Sequence, residues 1–224
     1  MRPQVALAVM AKVPAAGVVK TRLCPPLQPA GAAALARCFL LDRVEQLTTV
    51  DGTDRIVAFA PAEREGEMRA LVPAGVRLVP QVGVDLGARL DRLLTDLLVE
   101  GYAAAIALDA DSPTLPTAFV ETACRGLLDR TADVVVGPCD DGGYYLIGLR
   151  TPAPVLFREM PWSTAAVLTE TVDRAKRAGL RLTLLPPWFD VDRAEDLARL
   201  RRSAEAPEAF RPRRTLALLA ACGW

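Results

Sequence analysis

Short apolar segments alternate along this chain with longer segments whose apolar residues recur every three or four positions. The short segments predict β-strands at residues 5–10, 55–60, 76–79, 103–108 and 133–136. The longer segments predict helices at residues 30–47, 86–98, 117–128 and 164–178. This alternation favours an α/β fold with a mostly parallel sheet. Strands that are apolar throughout, such as AAAIAL, fit a sheet covered by helices on both faces.

The pattern changes after Gly143. Residues 144–149 and 180–185 predict two further strands, with a proline-punctuated loop through Trp162 and the helix at 164–178 between them. The chain ends with SAEAPEAFRPRR, which is typical of a linker, and TLALLAACGW, which predicts a short apolar helix packed on the core or on a partner. A length of 224 residues fits a single domain. We therefore expect one domain at residues 1–202, followed by a linker and short helix at 203–224.

Charge and composition exclude several classes of protein. Lysine plus arginine equals aspartate plus glutamate at 27 each, and no basic run is longer than Arg213 and Arg214, which disfavours a nucleic-acid binder. Apolar stretches fall well short of the roughly 20 residues that span a bilayer, and no secretory signal precedes the first strand, so we expect a cytoplasmic protein without a membrane partner. The sequence does not fix the oligomeric state, and a homodimer is compatible with it.

The cysteines and the missing histidine limit the chemistry. Five cysteines without a CxxC pair indicate neither a zinc site nor a disulfide framework. Because the chain has no histidine, no Cys/His pair can supply a nucleophile. A neutral attacking hydroxyl usually needs a base, most often histidine, whereas an ionised phosphate or carboxylate needs none. Positioning and charge neutralisation by a metal, lysine and arginine would then suffice.

The loop after the first strand, AKVPAAGVVKTRL, carries two of the three lysines of the chain. Lys12 and Lys20 flank Gly17 there, and the only other lysine is Lys176, against twenty-four arginines. A glycine-containing turn with backbone N–H groups and mobile cations can bind a polyphosphate. The alternative is a basic surface turn without a ligand.

Acidic pairs follow three of the predicted strands, at Asp109 and Asp111, Asp140 and Asp141, and Asp190 and Asp192. Ligands of an open parallel sheet bind outside the carboxyl ends of its strands. Three carboxylate pairs there would repel one another unless a cation lay among them, and oxygen ligands favour Mg²⁺ or Mn²⁺. The pairs therefore predict a metal bound together with phosphates.

A structural alternative exists for each pair taken alone. Residues two apart in an extended segment point the same way merely because of the pleat. Asp192 also precedes RAEDLARL, where it could be the N-cap of a helix, with Glu195 completing a capping box.

Six runs occur in an order that resembles a bacterial family: AKVPAAGVVKTRL, LGARL, LDADSP, GPCDDGGYYLIGL, PWST and FDVDRAEDL. The family is uncharacterised, is grouped with GT-A-type nucleotide-diphospho-sugar transferases, and is often labelled a radical-SAM/selenodomain-associated glycosyltransferase. The resemblance covers residues 3–201. The KTRL loop is also similar to that of 2-phospholactate and phosphoenolpyruvate guanylyltransferases, and more distantly to that of molybdenum-cofactor guanylyltransferases. The resemblance implies a single-domain, Rossmann-like GT-A fold.

The resemblance also implies roles for individual residues. The expected nucleotide-binding residues are Lys12, Gly17, Lys20, Thr21, Arg22, Gln81, Gly87 and Asp109. The expected acceptor-binding residues are Asp141, Gly142, Gly143, Tyr144 and Ser163. The expected metal ligands are Asp111, Asp190 and Asp192, and the expected catalytic residues are Lys20, Arg22 and Asp111. Asp109 stands where the family's GxDxP motif usually has glycine, so it is either a second metal ligand or a structural residue.

Structural roles remain open for several of these side chains. Gly142 and Gly143 could serve only a turn between two strands, and one of Tyr144 and Tyr145 should face the core because strand residues alternate. Ser163 could be the N-cap of the helix at 164–178. Trp162, Trp188 and Arg89 could each contact a ligand. Otherwise the two tryptophans would cover apolar surface, and the arginine would be solvated or salt-bridged.

We predict from these patterns a Mg²⁺-dependent nucleotidyltransferase. A small phosphorylated acceptor would attack the α-phosphate of a nucleoside triphosphate, with GTP favoured, and pyrophosphate would leave from the lysine- and arginine-bearing loop. The alternative is a GT-A glycosyltransferase with a nucleotide-sugar donor, in which Asp141 would be the base. A third class is a nucleotide-binding protein without catalytic activity, which would not need three acidic pairs.

Overall fold

Seven strands form one sheet in the computed structural model, which describes residues 4–223. The strands are β1 (Val5–Lys12), β2 (Thr53–Ala60), β3 (Arg77–Pro80), β4 (Ala104–Leu108), β5 (Val134–Pro138), β6 (Tyr144–Leu149) and β7 (Leu182–Leu184). Their order across the sheet is β3-β2-β1-β4-β6-β5-β7. Only β6 runs antiparallel to its neighbours β4 and β5. The amino end of β6 therefore lies at the same edge as the carboxyl ends of the other strands.

Helices cover both faces of this sheet. They are α1 (Pro29–Leu47), α2 (Glu65–Leu71), α3 (Leu86–Val99), α4 (Thr117–Leu128), α5 (Val167–Arg177), α6 (Ala194–Ser203) and α7 (Arg213–Ala221). One core cluster joins the sheet to α1, α2 and α4, and a second joins its other face to α3 and α5. The central strand β1 contributes Leu7 and Val9 to the first cluster and Ala6 and Ala8 to the second. It is apolar throughout because both of its faces are buried.

The predicted α/β fold with a mostly parallel sheet is confirmed. Every predicted strand and helix is present, with ends that differ by up to three residues; the helix predicted from residue 164 begins at Val167. The sequence pattern predicted neither the short helix α2 nor the antiparallel direction of β6. Within residues 4–223, no helix combines the length and apolar character that crossing a membrane requires.

The carboxyl-terminal helix α7 packs against α1. Asp42 on α1 accepts hydrogen bonds from the backbone N–H groups of Arg214 (3.1 Å) and Thr215 (2.8 Å). A third apolar cluster lies between α1, α6 and α7 and includes Phe39, Leu197 and Leu219. The division of the chain at residue 202 stays a prediction, and Trp224, at the end of the predicted apolar helix, lies outside the described residues.

Candidate functional site

The loop after β1 brings Lys20 into the centre of the carboxyl edge of the sheet. Lys20 adopts the left-handed conformation (φ 50°) just before a single 3₁₀ turn at Thr21–Leu23. Its ammonium nitrogen lies 2.9 Å from carboxylate oxygens of both Asp111 and Asp192, and it donates a hydrogen bond to the carbonyl oxygen of Val191 (2.7 Å). Two carboxylates that are distant in the sequence thus converge on one cation.

Lys20 is well shielded from solvent, whereas its partners are not. The Lys20 side chain is 6% exposed, and those of Asp111 and Asp192 are 44% and 39% exposed. Burial lowers the pKa of Lys20, but the charges of Asp111 and Asp192 outweigh that effect and raise its pKa above the ordinary value. Lys20 therefore stays charged, and each carboxylate keeps a face toward solvent where a ligand can approach.

The two aspartates after β4 have different environments. Asp109 turns inward, where it accepts a hydrogen bond from the Ser112 hydroxyl (2.6 Å) and lies 3.4 Å from a guanidinium nitrogen of Arg43. Burial raises the pKa of Asp109 to about 7, against the opposing effect of Arg43 and with a contribution from the charge of Asp111. The DxD spacing therefore does not place the two carboxylates in one shared role.

The segment before α6 supplies the third acidic pair. The backbone N–H of Val191 donates to the carbonyl oxygen of Asp111 (2.9 Å), which joins this segment to the loop after β4. Burial, together with the charges of Asp192 and Asp141, raises the pKa of Asp190 to about 6. In residues 4–223, no lysine or arginine nitrogen lies within salt-bridge distance of Asp190.

The suggestion that Asp192 caps α6 is wrong. The N-cap is Arg193, and the side chain that binds back to the N-cap backbone is that of Asp196 rather than that of Glu195. A carboxylate oxygen of Asp196 accepts hydrogen bonds from the backbone N–H groups of Arg193 (2.7 Å) and Asp192 (3.0 Å). The Asp192 carboxylate contacts Lys20 instead of capping the helix.

A cavity of about 470 Å³ opens beside the β1 loop, and we call it the nucleotide cavity. Five of the predicted nucleotide-binding residues line it: Lys12, Lys20, Thr21, Arg22 and Gln81. Arg89 also lines it and donates to the carbonyl oxygen of Gly83 (3.1 Å). The amide nitrogen of Gln81 donates to the carbonyl oxygens of Ala58 (2.7 Å) and Ala11 (3.2 Å), which fixes the orientation of this side chain.

Two predicted nucleotide-binding glycines do not line the nucleotide cavity. Gly17 lies in the loop with φ +74°, a conformation that favours glycine, and open space surrounds it. Gly87 lies in the first turn of α3, where an added Cβ would come within 2.5 Å of the Phe157 carbonyl oxygen and 2.6 Å of the Trp162 indole nitrogen. Gly87 is therefore required by close packing, and a contact between Gly87 and the nucleotide stays a prediction.

A second cavity of about 480 Å³ adjoins the first, and we call it the acceptor cavity. Four predicted acceptor-binding residues line it: Asp141, Gly143, Tyr144 and Ser163. Gly142 is not in the lining; its φ is +88°, and an added Cβ would come within 2.4 Å of the Ala165 carbonyl oxygen. Asp109, which was assigned to the nucleotide, lies in the acceptor cavity instead. The two cavities share four residues: Arg22, Leu86, Asp111 and Asp192.

The structure distinguishes the open roles of the aromatic residues. Tyr145 is buried in the core and Tyr144 lines the acceptor cavity, as strand alternation predicts. Trp162 also lines that cavity and packs edge to face against Tyr144, with ring centroids 6.3 Å apart. Trp188 packs on Phe119 instead. Ser163 is not a helix cap, because α5 begins at Val167 after an N-cap at Ala166.

Sequence reasoning missed Arg43, whose side chain is fully buried beneath the loop after β4. The signal was present, because Arg43 lies on the buried face of α1 among Leu40, Val44 and Leu47. A charged residue within an apolar stripe needs partners, since a buried charge is costly when unpaired.

The predicted metal ligands are only partly assembled. Asp111 and Asp192 converge, but on the Lys20 ammonium group. Asp190 lies in the wall of the acceptor cavity, which Asp111 and Asp192 also line. Across residues 4–223, no three acidic, cysteine or histidine side chains are grouped as ligands of one ion. The two converging carboxylates nevertheless fit a hard divalent cation, because their oxygens already approach a single positive charge.

Comparison with known proteins places this geometry in a family. A sequence profile of the family described as "Uncharacterized protein conserved in bacteria (DUF2064)" matches residues 43–164. The phosphoenolpyruvate guanylyltransferase of Rubrobacter xylanophilus is 35% identical over an alignment of 205 residues that covers 87% of this chain and 92% of that relative. The chain belongs to this bacterial family.

Solved structures show the same fold. A protein of Desulfovibrio desulfuricans, provisionally described as a nucleotide-diphospho-sugar transferase, is 32% identical, with a TM-score of 0.91 over 98% of this chain and 95% of that one. A CMP-2-keto-3-deoxy-manno-octonic acid synthetase complexed with CTP is 15% identical, with a TM-score of 0.56 over 89% of this chain and 97% of that one. A 4-diphosphocytidyl-2C-methyl-D-erythritol synthase is 13% identical, with a TM-score of 0.55 over 92% and 100%. The predicted GT-A-type fold is confirmed.

Proposed function

We propose that this family member is a Mg²⁺-dependent nucleotidyltransferase. It joins the nucleoside monophosphate of a nucleoside triphosphate to a small phosphorylated acceptor and releases pyrophosphate. The observation that carries the proposal is the pair of adjoining cavities with a common wall formed by Arg22, Leu86, Asp111 and Asp192. Two substrates bound in such neighbouring cavities would meet at that wall. It carries both a cationic side chain and carboxylates, which phosphoryl transfer requires for phosphate binding and for metal binding.

The nucleotide cavity suits a triphosphate. Its lining includes four basic residues, Lys12, Lys20, Arg22 and Arg89, against two acidic ones, Asp111 and Asp192. We assign Lys20, Thr21 and Arg22 to the phosphates, because charge-assisted donors bind phosphate oxygens strongly. The Arg22 side chain is 70% exposed and lies 3.6 Å from Asp192, so it can turn toward an incoming phosphate without leaving a buried charge unpaired.

The reaction we propose is a displacement at the α-phosphorus. A phosphate oxygen of the acceptor forms the new P–O bond, the bond between the α-phosphorus and the bridging oxygen breaks, and pyrophosphate leaves with the electron pair. An ionised phosphate needs no general base, which fits a chain without histidine. Lys20 and Arg22 would stabilise the charge that develops on the leaving group.

Asp111 and Asp192, with Asp190 beside them, would hold Mg²⁺ or Mn²⁺ at the common wall. A divalent cation there supplies charge neutralisation between the phosphates and the carboxylates. Lys20 now lies between two of these carboxylates, and its flexible side chain would shift to the phosphates when both ligands bind.

The relatives support nucleotidyl transfer over glycosyl transfer. The Rubrobacter relative is named for guanylyl transfer to phosphoenolpyruvate, so we favour GTP as the nucleotide. The description of the Desulfovibrio structure keeps a nucleotide sugar as the alternative donor. In that case Asp141, which lines the acceptor cavity, would be the base.

A thermal-shift panel tests the proposal, because a ligand that binds only the native state raises its melting temperature. The four ribonucleoside triphosphates and several nucleotide sugars are each added with and without Mg²⁺. We expect stabilisation by GTP that depends on Mg²⁺, followed by pyrophosphate release when phosphorylated acceptors are supplied. Stabilisation by a nucleotide sugar but by no triphosphate would contradict nucleotidyl transfer and favour the glycosyltransferase.

A further inference from the structure

We propose that Arg43 is a positioning residue that divides the two aspartates after β4 between different tasks. Arg43 holds Asp109 as an anchor beneath the site, and this leaves Asp111 as the carboxylate that meets the cation and the phosphates. The role of Asp111 rests on the proposed function, whereas the anchoring of Asp109 by Arg43 concerns only the structure of the loop.

Arg43 binds the loop after β4 from below. Its side chain is fully buried, and one guanidinium nitrogen donates to the carbonyl oxygen of Ser112 (2.5 Å) and lies 3.4 Å from a carboxylate oxygen of Asp109. The other terminal guanidinium nitrogen donates to the side-chain oxygen of Gln46 on the same helix. The planar guanidinium thus connects α1 to the loop in a geometry that an ammonium group cannot reproduce.

Gln46 extends the same anchor along the loop. Its amide nitrogen donates to the carbonyl oxygen of Leu115 (2.5 Å) and lies 3.2 Å from the Thr117 hydroxyl. Two neighbouring side chains of α1 therefore hold the loop at both ends. Since Gln46 is oriented by Arg43, loss of the guanidinium would loosen both attachments.

The anchored loop after β4 is hydrogen-bonded to the segment before α6, and we call these two the acidic segments. The carbonyl oxygen of Asp111 accepts a hydrogen bond from the backbone N–H of Val191 (2.9 Å), and the Val191 carbonyl oxygen accepts one from Lys20 (2.7 Å). The spacing between the Asp111 and Asp192 carboxylates is therefore set by a chain of contacts that begins at Arg43. Groups that stand behind metal ligands commonly alter metal affinity when they are replaced.

Asp109 has local partners that Asp111 lacks, although it also lines the acceptor cavity. One of its carboxylate oxygens lies 3.4 Å from Arg43 and the other accepts from the Ser112 hydroxyl (2.6 Å), so each oxygen has a partner in or beneath the loop. The Asp111 side chain instead is 44% exposed and contacts the ammonium group of Lys20. The extra acidic residue in LDADSP thus has a structural cause, which is the presence of a buried arginine.

The test compares Arg43→Lys and Asp109→Asn with Asp42→Asn as a matched control. Asp42 is the preceding residue on α1 and is equally buried, but it binds α7 rather than the loop after β4. Hydrogen–deuterium exchange of residues 109–115 and 188–193 reports the position of the two acidic segments. Titration with Mn²⁺ in the presence of inorganic pyrophosphate, followed by electron paramagnetic resonance, reports the cation site.

We expect Arg43→Lys to speed exchange in both acidic segments by about tenfold or more and to weaken Mn²⁺ binding by about 10- to 100-fold. Asp109→Asn should act in the same direction but weaken Mn²⁺ binding less than Asp111→Asn. Asp42→Asn should destabilise the protein while leaving both readouts at wild-type values.

Three results would overturn the inference: wild-type exchange in Arg43→Lys, equal loss of Mn²⁺ in Asp109→Asn and Asp111→Asn, or the same changes in Asp42→Asn. If Arg43→Lys does not fold, Asp109→Asn decides by the same exchange measurement. If wild-type protein binds no Mn²⁺, that result contradicts the metal site of the proposed function. The exchange data still decide the role of Arg43.

Discussion

Aspartate carboxylates behave in opposite ways at the two edges of the central sheet. At the amino edge, Asp133 accepts hydrogen bonds from the side chains of Arg181 (2.9 Å) and Arg150 (2.8 Å), and those from Arg181 above all hold its pKa well below the ordinary value. At the carboxyl edge, burial raises the pKa of Asp109 to about 7 and that of Asp190 to about 6. The amino edge pairs this carboxylate with two arginines, whereas the acceptor cavity at the carboxyl edge has more acidic than basic side chains in its lining.

The difference distinguishes a carboxylate that stabilises the fold from carboxylates that belong to the candidate site. A carboxylate whose pKa is lowered by partners stabilises the folded state at neutral pH, whereas one whose pKa is raised destabilises it there. Raised values cluster at sites that await a ligand. The carboxyl edge is therefore the edge at which an added cation would improve the electrostatic energy, whereas Asp133 at the amino edge already has cationic partners.

The strongest test of this comparison is Asp111→Asn. Replacing a group that lies behind a metal ligand typically costs about 10- to 100-fold in activity. We expect metal-dependent turnover of this variant to fall by more than that, because Asp111 would contact the cation directly. The melting temperature of the free protein should change little, since Lys20 keeps its contact with Asp192. Steady-state pyrophosphate release and thermal unfolding measure the two effects, and wild-type turnover would remove Asp111 from the site.

Lys20→Ala should have the next largest effect. Loss of one charge-assisted contact is expected to weaken triphosphate binding by about 10- to 100-fold, and to weaken monophosphate binding less. Isothermal titration with GTP and GMP in Mg²⁺ measures both. Lys176→Ala, which removes an exposed lysine on α5, is the control. Equal losses for the two nucleotides would contradict the placement of Lys20 at the leaving group.

Asp133→Asn should affect stability without affecting the site. At pH 7 we expect the melting temperature to fall by a few degrees, at about 2–4 °C for each kcal/mol lost, because two arginines lose their shared partner. Since the folded-state pKa of Asp133 is lowered, its stabilisation is present above the unfolded-state pKa and is lost as pH falls. The difference between wild type and variant should therefore shrink in acid, and unchanged nucleotide affinity completes the test.

Asp190→Asn should produce the smallest change in the stability of the metal-free protein, with the sign opposite to that of Asp133→Asn. The raised pKa of Asp190 means that its contribution to stability is present in full below the unfolded-state value of about 3.9 and is lost as pH rises through about 6. In a chelating buffer, the variant should therefore be slightly more stable than wild type at pH 7 and no more stable at pH 4. Melting curves across this range measure it, and a less stable variant at pH 7 would break the contrast between the two edges.

The sequence by itself determined most elements of the fold and the edge at which the candidate site lies. Apolar runs and three- to four-residue periodicity are local properties, so strands such as 103–108 and helices such as 117–128 were predicted close to their observed bounds. The acidic pairs and the KTRL loop follow strand ends, and the carboxyl ends of parallel strands meet at one edge. Lys20, Asp111 and Asp192 could therefore be assigned to one site.

Only the tertiary structure decided how these side chains are paired. Lys20 contacts Asp192 across a separation of 172 residues, a distance over which no local pattern carries information. Asp109 and Asp111 look equivalent in LDADSP, yet the chain turns after β4, so that Asp109 contacts the buried Arg43 and lines only the acceptor cavity, whereas Asp111 contacts Lys20 and lines both cavities. Burial and partner geometry set the charge and the role of each carboxylate, and both depend on residues brought together by the complete fold.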